Sequence, residues 1–125
     1  MIIKETTAKY YNPILEKSFL FSVRIVRFYK IKCVSNYNLN SLFKQLLRSG
    51  TSIGANVSES QSAFTKKDFI NKLGISLKES RETEFWLKLL KESEIISEKE
   101  FKSLFDDCEE LSKLLTSIIK SSKKI

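Results

Sequence analysis

Small residues interrupt an apolar helical pattern in the stretch Ser49-Gly50-Thr51-Ser52-Ile53-Gly54-Ala55. Gly50 and Gly54 are four residues apart, so they share one face of a helix. A glycine inside a helix costs about 1 kcal/mol relative to alanine. Close approach of another backbone would offset that cost. We therefore expect a helix here that packs tightly against a neighbour.

A complementary pattern follows later in the chain. The segment from about 66 to 93 repeats its core positions in steps of four and three, with bulky residues at both ends and small ones in the middle. This seam consists of Phe69, Leu73, Ser76, Ser80, Thr83, Leu87 and Leu90. Small residues in the middle of both segments predict that these two helices cross closely.

Two further amphipathic segments complete a set of four. The segment 13–31 starts with Asn12 as a cap and Pro13 in its first turn. The segment 98–121 follows a capping box formed by Ser97 and Glu100, and the basic residues after it are expected to fray. With the segments 41–62 and 66–93, short connections predict one all-α domain over residues 1–125, an antiparallel up-down-up-down four-helix bundle.

Composition excludes several classes of protein. Three glycines and one proline are too few for the turns of a β-sandwich or barrel. The lack of histidine excludes Ser-His-Asp and Cys-His catalysis and the histidine-containing metal sites. Cys33 and Cys108 are too few for a disulfide scaffold or a four-cysteine zinc site, although one bridge between them stays open. Cys108 lies on an apolar stripe, which favours a buried thiol, and no cofactor is predicted.

A group of carboxylates is the main candidate for catalysis or metal binding, since Cys33 has no identifiable base to activate its thiol. Its members are Glu59, Glu79, Glu82 and Glu84. Lys78 and Arg81 are interleaved with them, so ion pairing is the simpler interpretation. We therefore predict that the protein is not an enzyme, with a carboxylate enzyme as a distant alternative.

Hydropathy gives no sign of membrane insertion. Met1-Ile2-Ile3-Lys4-Glu5 does not have the pattern of a signal peptide, and no apolar run approaches the 18 residues of a membrane span. We expect a soluble cytoplasmic protein without a membrane partner.

Positive charge is concentrated in the first half of the chain. The formal net charge is +7, and residues 1–57 contain nine cations against Glu5 and Glu16, a balance of +7. Such a surface is typical of phosphate binding with little sequence specificity, although a solvated face explains the charge about equally well. The candidate nucleic-acid-binding residues are Arg24, Arg27, Lys30, Lys32, Lys44 and Arg48, with Lys120, Lys123 and Lys124 as additional contacts.

Apolar residues also occur away from the core seams. In the segment 13–31, one apolar face contains Leu15, Phe19, Val23 and Val26, and a second contains Phe21, Ile25 and Phe28. A helix that is apolar on two sides needs two neighbours. We predict a subunit interface, with the wide core of a small bundle as the alternative. The interface candidates are Phe21, Ile25, Phe28, Phe85 and Trp86.

Two sequence blocks resemble a known family. They are R-S-x-x-S-I-x-A-N over residues 48–56 and K-E-x-x-E-x-x-x-W-L over residues 78–87. Together they resemble the four-helix bundle family encoded in 23S rRNA intervening sequences, from about residue 20 to 119. The resemblance implies antiparallel bundles assembled into homopentameric rings. It also implies a relation to the accessory variability protein of diversity-generating retroelements, which binds nucleic acid and a reverse transcriptase through a basic surface.

No catalytic residues come with this resemblance. We therefore predict a non-enzymatic homo-oligomer that binds RNA or DNA through its basic surface. The alternative is a scaffold whose cations contact an acidic protein or a reverse transcriptase. A partner protein that stays bound after nuclease treatment would favour the scaffold.

Overall fold

Four long helices account for most of the chain in the computed structural model, which describes residues 12–124. They are α1 Pro13–Ser35, α2 Asn40–Ser60, α3 Lys66–Glu92 and α4 Glu98–Lys124, with a short 3₁₀ turn at Tyr37–Leu39. The N-terminal segment, in which no signal peptide was predicted, and Ile125 lie outside the described residues. The prediction of an all-α fold is confirmed.

Consecutive helices pack side by side and the last closes against the first. α2 packs extensively on α1 and on α3, and α4 packs extensively on α3. The contact between α1 and α4 is thinner. α1 and α3 therefore occupy opposite corners of an antiparallel four-helix bundle, as predicted.

Two helices are longer than the hydrophobic pattern predicts. α1 continues four residues past Ile31, and its end is satisfied by Asn36, whose backbone and side-chain amides both donate to the Lys32 carbonyl. α4 remains helical to Lys124, where fraying was expected. Cations in the last turn interact favourably with the negative end of the helix dipole.

Capping hydrogen bonds form at the starts of α3 and α4, but not at the predicted Asn12 cap of α1. The Thr65 hydroxyl accepts a hydrogen bond from the Asp68 amide at 3.0 Å. At the start of α1, Pro13 occupies the first turn, but the Asn12 side chain makes no capping bond. Its amide instead donates to Gln61 Oε1 at 2.7 Å, which ties the start of α1 to the end of α2.

A complete capping box forms at the start of α4, as predicted. The Ser97 amide donates to Glu100 Oε1 at 2.9 Å, and the Glu100 amide donates to Ser97 Oγ at 3.0 Å. Glu100 also pairs with Lys32 of α1, with Nζ and Oε2 2.6 Å apart. Burial alone would raise the pKa of Glu100, but hydrogen bonds from Lys32 and the Ser97 backbone outweigh it and lower that pKa.

The two glycines of α2 do allow close approach, and the neighbour is α1. A Cβ added at Gly54 would lie 2.9 Å from Ser22 Oγ and 3.0 Å from the Ser18 carbonyl oxygen. A Cβ at Gly50 would lie 2.9 Å from Cγ1 of Ile25. The glycines therefore accommodate the first helix, whereas the sequence pattern pointed to the third.

Helices α2 and α3 approach closely through hydroxyl groups. Ser76 Oγ donates to the Ile53 carbonyl at 2.8 Å, and the hydroxyls of Thr83 and Ser49 are 2.9 Å apart. All three hydroxyl-bearing residues are fully buried. The predicted close crossing of these two helices is confirmed, and side-chain hydrogen bonds hold it together.

A buried polar cluster also joins α3 to α4. The hydroxyls of Ser80 and Ser112 are 2.7 Å apart, and Ser112 Oγ lies 2.6 Å from Glu84 Oε2. The Cys108 thiol donates to the Ser80 carbonyl at 3.3 Å. Burial, followed by the nearby negative charge of Glu84, strongly raises the pKa of Cys108. Both Cys108 and Cys33 are free thiols, so the bridge left open by the sequence does not form.

The assignment of faces on α1 is wrong for two of the predicted interface residues. Phe21 and Ile25 are 2% and 0% exposed and belong to the core of the subunit. Their face is turned inward because it matches the glycines of α2. The other apolar face is outside, and Phe19 and Val26 on it are 65% and 48% exposed.

Candidate nucleic-acid interface

Three of the predicted phosphate-binding cations are exposed at one end of the bundle. Arg27 and Lys30 lie on the outer side of α1, and Lys44 lies on the outer side of α2. A hydrogen bond of 2.9 Å from the Tyr29 hydroxyl to Asn40 Oδ1 joins the two helices at this end. Among residues 12–124 no carboxylate pairs with these three cations. We refer to Arg27, Lys30 and Lys44 as the upper basic face.

Two other predicted cations are used to hold α1 against α4. Arg24 forms an ion pair with Asp107 and donates to the Ser103 hydroxyl at 2.6 Å. Lys32 pairs with Glu100, and its Nζ lies 5.6 Å from the centre of the Phe28 ring. Their charges are largely balanced within the subunit, so they contribute less to an external field than the sequence suggested.

Arg48 is balanced by two carboxylates of α3. Its Nη2 lies 3.2 Å from Glu79 Oε1 and also contacts Glu82. The hydrogen bond to Glu79 is the main reason that the pKa of Arg48 is raised above its ordinary value. The structure thus uses Arg48 in the contact between α2 and α3, one helical turn from Lys44, where two carboxylates balance its charge.

The C-terminal lysines lie at the opposite end of the bundle. Lys120, Lys123 and Lys124 are exposed in the last turns of α4. α4 runs antiparallel to α1, so these residues are close to the start of α1. Arg27 is 14 residues beyond that start, which corresponds to about 20 Å of helix. The two groups of cations do not form one continuous surface.

A groove beside the upper basic face adds a cation that sequence reasoning missed. It lies between α1 and α4, has a volume of about 420 Å³, and includes Arg24, Arg27 and Lys99 in its walls. Phe28, Ile31 and Leu104 supply its apolar lining. Lys99 lies between Glu98 and Glu100, so the net charge of this segment does not indicate a basic site. The antiparallel topology is the signal that brings the start of α4 to the end of α1.

The aromatic interface candidates of α3 are on the surface. Phe85 is 56% exposed and makes an edge-to-face contact with the half-buried Trp86, with ring centres 5.1 Å apart. Trp86 Nε1 donates to Glu82 at 3.4 Å. Phe28, the remaining candidate, is half-buried and packs on Phe43 of the core with ring centres 6.2 Å apart. Phe85 is therefore the most exposed of the five predicted interface residues.

The carboxylates considered for catalysis are occupied by cations. Glu79 and Glu82 pair with Arg48, as described above. Glu84 pairs with Arg81 at 3.3 Å, and Glu59 pairs with Lys72 at 3.1 Å. Between residues 12 and 124 no group of three or more acidic or cysteine side chains is arranged to hold a metal ion. None of the four helices described is long and apolar enough to cross a membrane.

Comparisons with known proteins agree with this architecture. Residues 12–117 match the model of the 23S rRNA-intervening sequence protein family. A crystal structure of a protein of unknown function from the S23 ribosomal protein family of Bacteroides thetaiotaomicron is 50% identical in sequence, with a TM-score of 0.81. The match covers 86% of this chain and 98% of that one. No curated protein matches the chain. The protein thus belongs to the 23S rRNA-intervening sequence protein family.

Proposed function

We propose that the protein is a non-enzymatic homo-oligomer that binds nucleic acid through backbone phosphates. The observation that carries this proposal is the upper basic face. Three exposed cations there lack carboxylate partners among residues 12–124, while most other cations near them are paired. Unpaired cations on one side of a protein attract polyanions and release counterions when they bind.

Contacts of this type do not read sequence. Lysine and arginine side chains on the outer side of a helix bind phosphate oxygens, which are the same at every nucleotide. We therefore expect similar affinity for unrelated sequences of equal length and strandedness. The family name refers to an intervening sequence of 23S rRNA, which makes RNA the first probe to use.

Self-association is supported by two exposed apolar faces. One is formed by Phe19 and Val26 on α1, and the other by Phe85 and Leu89 on α3, with exposed fractions between 37% and 65%. Because α1 and α3 occupy opposite corners, the two faces point away from each other. The α1 face of one copy would therefore contact the α3 face of the next. Such head-to-tail contacts generate a ring when the rotation closes, and the family resemblance implies five subunits.

A ring would strengthen weak phosphate contacts. Each copy contributes one upper basic face, and a nucleic acid bound to one copy meets the next at high effective concentration. Modest affinity of a single subunit is therefore compatible with firm binding by the assembly.

A charge-reversal experiment tests the binding proposal. We expect R27E/K44E to weaken binding of a labelled single-stranded RNA and to reduce the slope of log K against log salt by about 1.4, since each lost phosphate contact on a single strand removes about 0.7. The matched control is K102E/K113E, which changes the net charge equally on the outer side of α4, where both lysines are exposed. Equal losses in the two variants would show that only net charge matters and would contradict a localised site.

A further inference from the structure

An exposed phenyl ring occupies the turn between α2 and α3. The side chain of Phe64 is fully exposed, with a relative accessibility of 101%. The backbone around it is nevertheless held in place. The amides of Ser62 and Ala63 donate to carbonyls of α2 at 3.0 and 3.2 Å, and Thr65 caps α3. The turn therefore fixes the backbone at Phe64 and leaves its ring fully in solvent.

Cations surround this end of the bundle. Lys66 and Lys67 follow the turn directly and are exposed. The last turns of α4 reach the same end. Ser80 of α3 contacts Ser112 of α4, and Asp68 lies as many residues before Ser80 as Lys124 lies after Ser112. Because the two helices are antiparallel, Asp68 and Lys124 are at the same level. In the described part of the chain these lysines form no ion pairs. The carboxylates nearest to the turn are those of the half-buried Asp68 and of Glu59, which pairs with Lys72. We refer to the set as the lower tip, formed by Phe64, Lys66, Lys67, Lys120, Lys123 and Lys124.

Resting on the proposed nucleic-acid binding, we infer that the lower tip is a second contact site that selects single-stranded RNA or DNA, with an unpaired base stacked on Phe64 and flanking phosphates bound by the lysines around it. Exposed aromatic rings beside cations are the usual device for holding single strands, because every base offers a flat face and every nucleotide a phosphate. A duplex keeps its bases stacked on one another and has none to offer the ring.

The chemistry of the tip favours a single strand over a membrane surface. Peripheral membrane binding requires an apolar face built from several large side chains. Here Phe64 is the one large apolar residue of the turn, and its neighbours Ser62, Ala63 and Thr65 are small or polar. One ring is sufficient for one stacked base, whereas it buries little area in a lipid interface.

The site is distinct from the upper basic face. The hydrogen bond between Asn12 and Gln61 places the turn at the level where α1 begins. Arg27 is 15 residues further along, a distance of about 20 Å on a helix. Strand selectivity and overall phosphate affinity can therefore be measured with separate variants.

The test compares three substitutions at Phe64 in the full chain, by fluorescence anisotropy. F64A and F64L remove the aromatic face, and F64Y keeps it. All are at a fully exposed position, and circular dichroism confirms folding. The probes are a labelled oligouridylate of about 15 nucleotides, long enough to cover one site, and an RNA duplex of equal length. Vesicles containing phosphatidylserine serve as the lipid probe.

We expect F64A and F64L to bind the single strand about tenfold more weakly, F64Y to bind like the wild type, and all four proteins to bind the duplex equally. Wild-type affinity of F64A for the single strand, with RNA binding otherwise intact, would overturn this inference and leave the proposed function standing. Absence of RNA binding by the wild type would overturn both. Vesicle binding that F64L retains and F64A loses, without an effect on RNA, would assign the tip to a membrane.

Discussion

The contact between α1 and α2 can be tested by giving a side chain to two of the three glycines of the chain. Gly54→Ala places a Cβ 3.0 Å from the Ser18 carbonyl oxygen, which is part of the helix backbone and cannot rotate away. Gly74→Ala is the matched control. It lies in the middle of α3, and an added Cβ would meet nothing within 4 Å.

The two substitutions should change the free energy of unfolding in opposite directions. Replacing glycine by alanine inside a helix stabilises it by about 1 kcal/mol, so Gly74→Ala should raise the free energy of unfolding by about that amount. Gly54→Ala gains the same helix stabilisation, but over-packing at a rigid contact costs about 1–3 kcal/mol. We expect a cost at the upper end of this range, because the backbone of α1 must move. We therefore expect the free energy of unfolding of Gly54→Ala to be about 1–2 kcal/mol lower than that of the wild type.

The assay is urea unfolding followed by circular dichroism at one fixed protein concentration, because self-association adds a concentration-dependent term. Adding Ser22→Ala to Gly54→Ala removes the nearest contact, at 2.9 Å, but leaves the Ser18 carbonyl in place. We therefore expect partial recovery only. If Gly54→Ala is as stable as Gly74→Ala, the close approach of α1 to α2 described above is refuted.

Three other outcomes follow from the structure. Val26→Glu on α1 and Phe85→Glu on α3 should each reduce the solution mass measured by light scattering, and an unchanged mass would exclude both faces from assembly. Maleimide at pH 8 should label the half-buried Cys33 alone, with Cys108 reacting only in denaturant; two labels on the folded protein would contradict the burial of Cys108. Glu100→Gln should lower the free energy of unfolding at pH 7 by no more than about 1 kcal/mol, because water screens the pair with Lys32. Since the folded pKa of Glu100 is lowered, the stability difference between wild type and variant should close as the pH falls below about 4. A difference that stays constant with pH would argue against the ion pair.

Features with local causes were predictable from the sequence. Ser97 and Glu100 form their capping box because both partners lie within one helical turn. The α3 seam was predictable for a similar reason, since the spacing of Leu73 and Leu87 reflects the period of a single helix. The number, order and direction of the helices follow from such signals together with short connections.

Features that depend on neighbouring helices were not predictable. α1 has two apolar faces of similar strength, and only its fit to Gly50 decides that Ile25 is turned inward. Net charge by segment assigned Arg48 to the basic half of the chain, yet its partners lie on α3. Lys99 joins the groove through the closure of α4 on α1. Each outcome is set by contacts that join residues far apart in the chain.

The thin seam between the first and last helices has a consequence for how the chain folds. Extensive contacts all join consecutive helices, so loop closure over long distances is needed only for the final step. Topologies dominated by such short-range contacts fold quickly. Both partners of the glycine contact between α1 and α2 are translated before α4, so we expect this hairpin to form first and α4 to dock last.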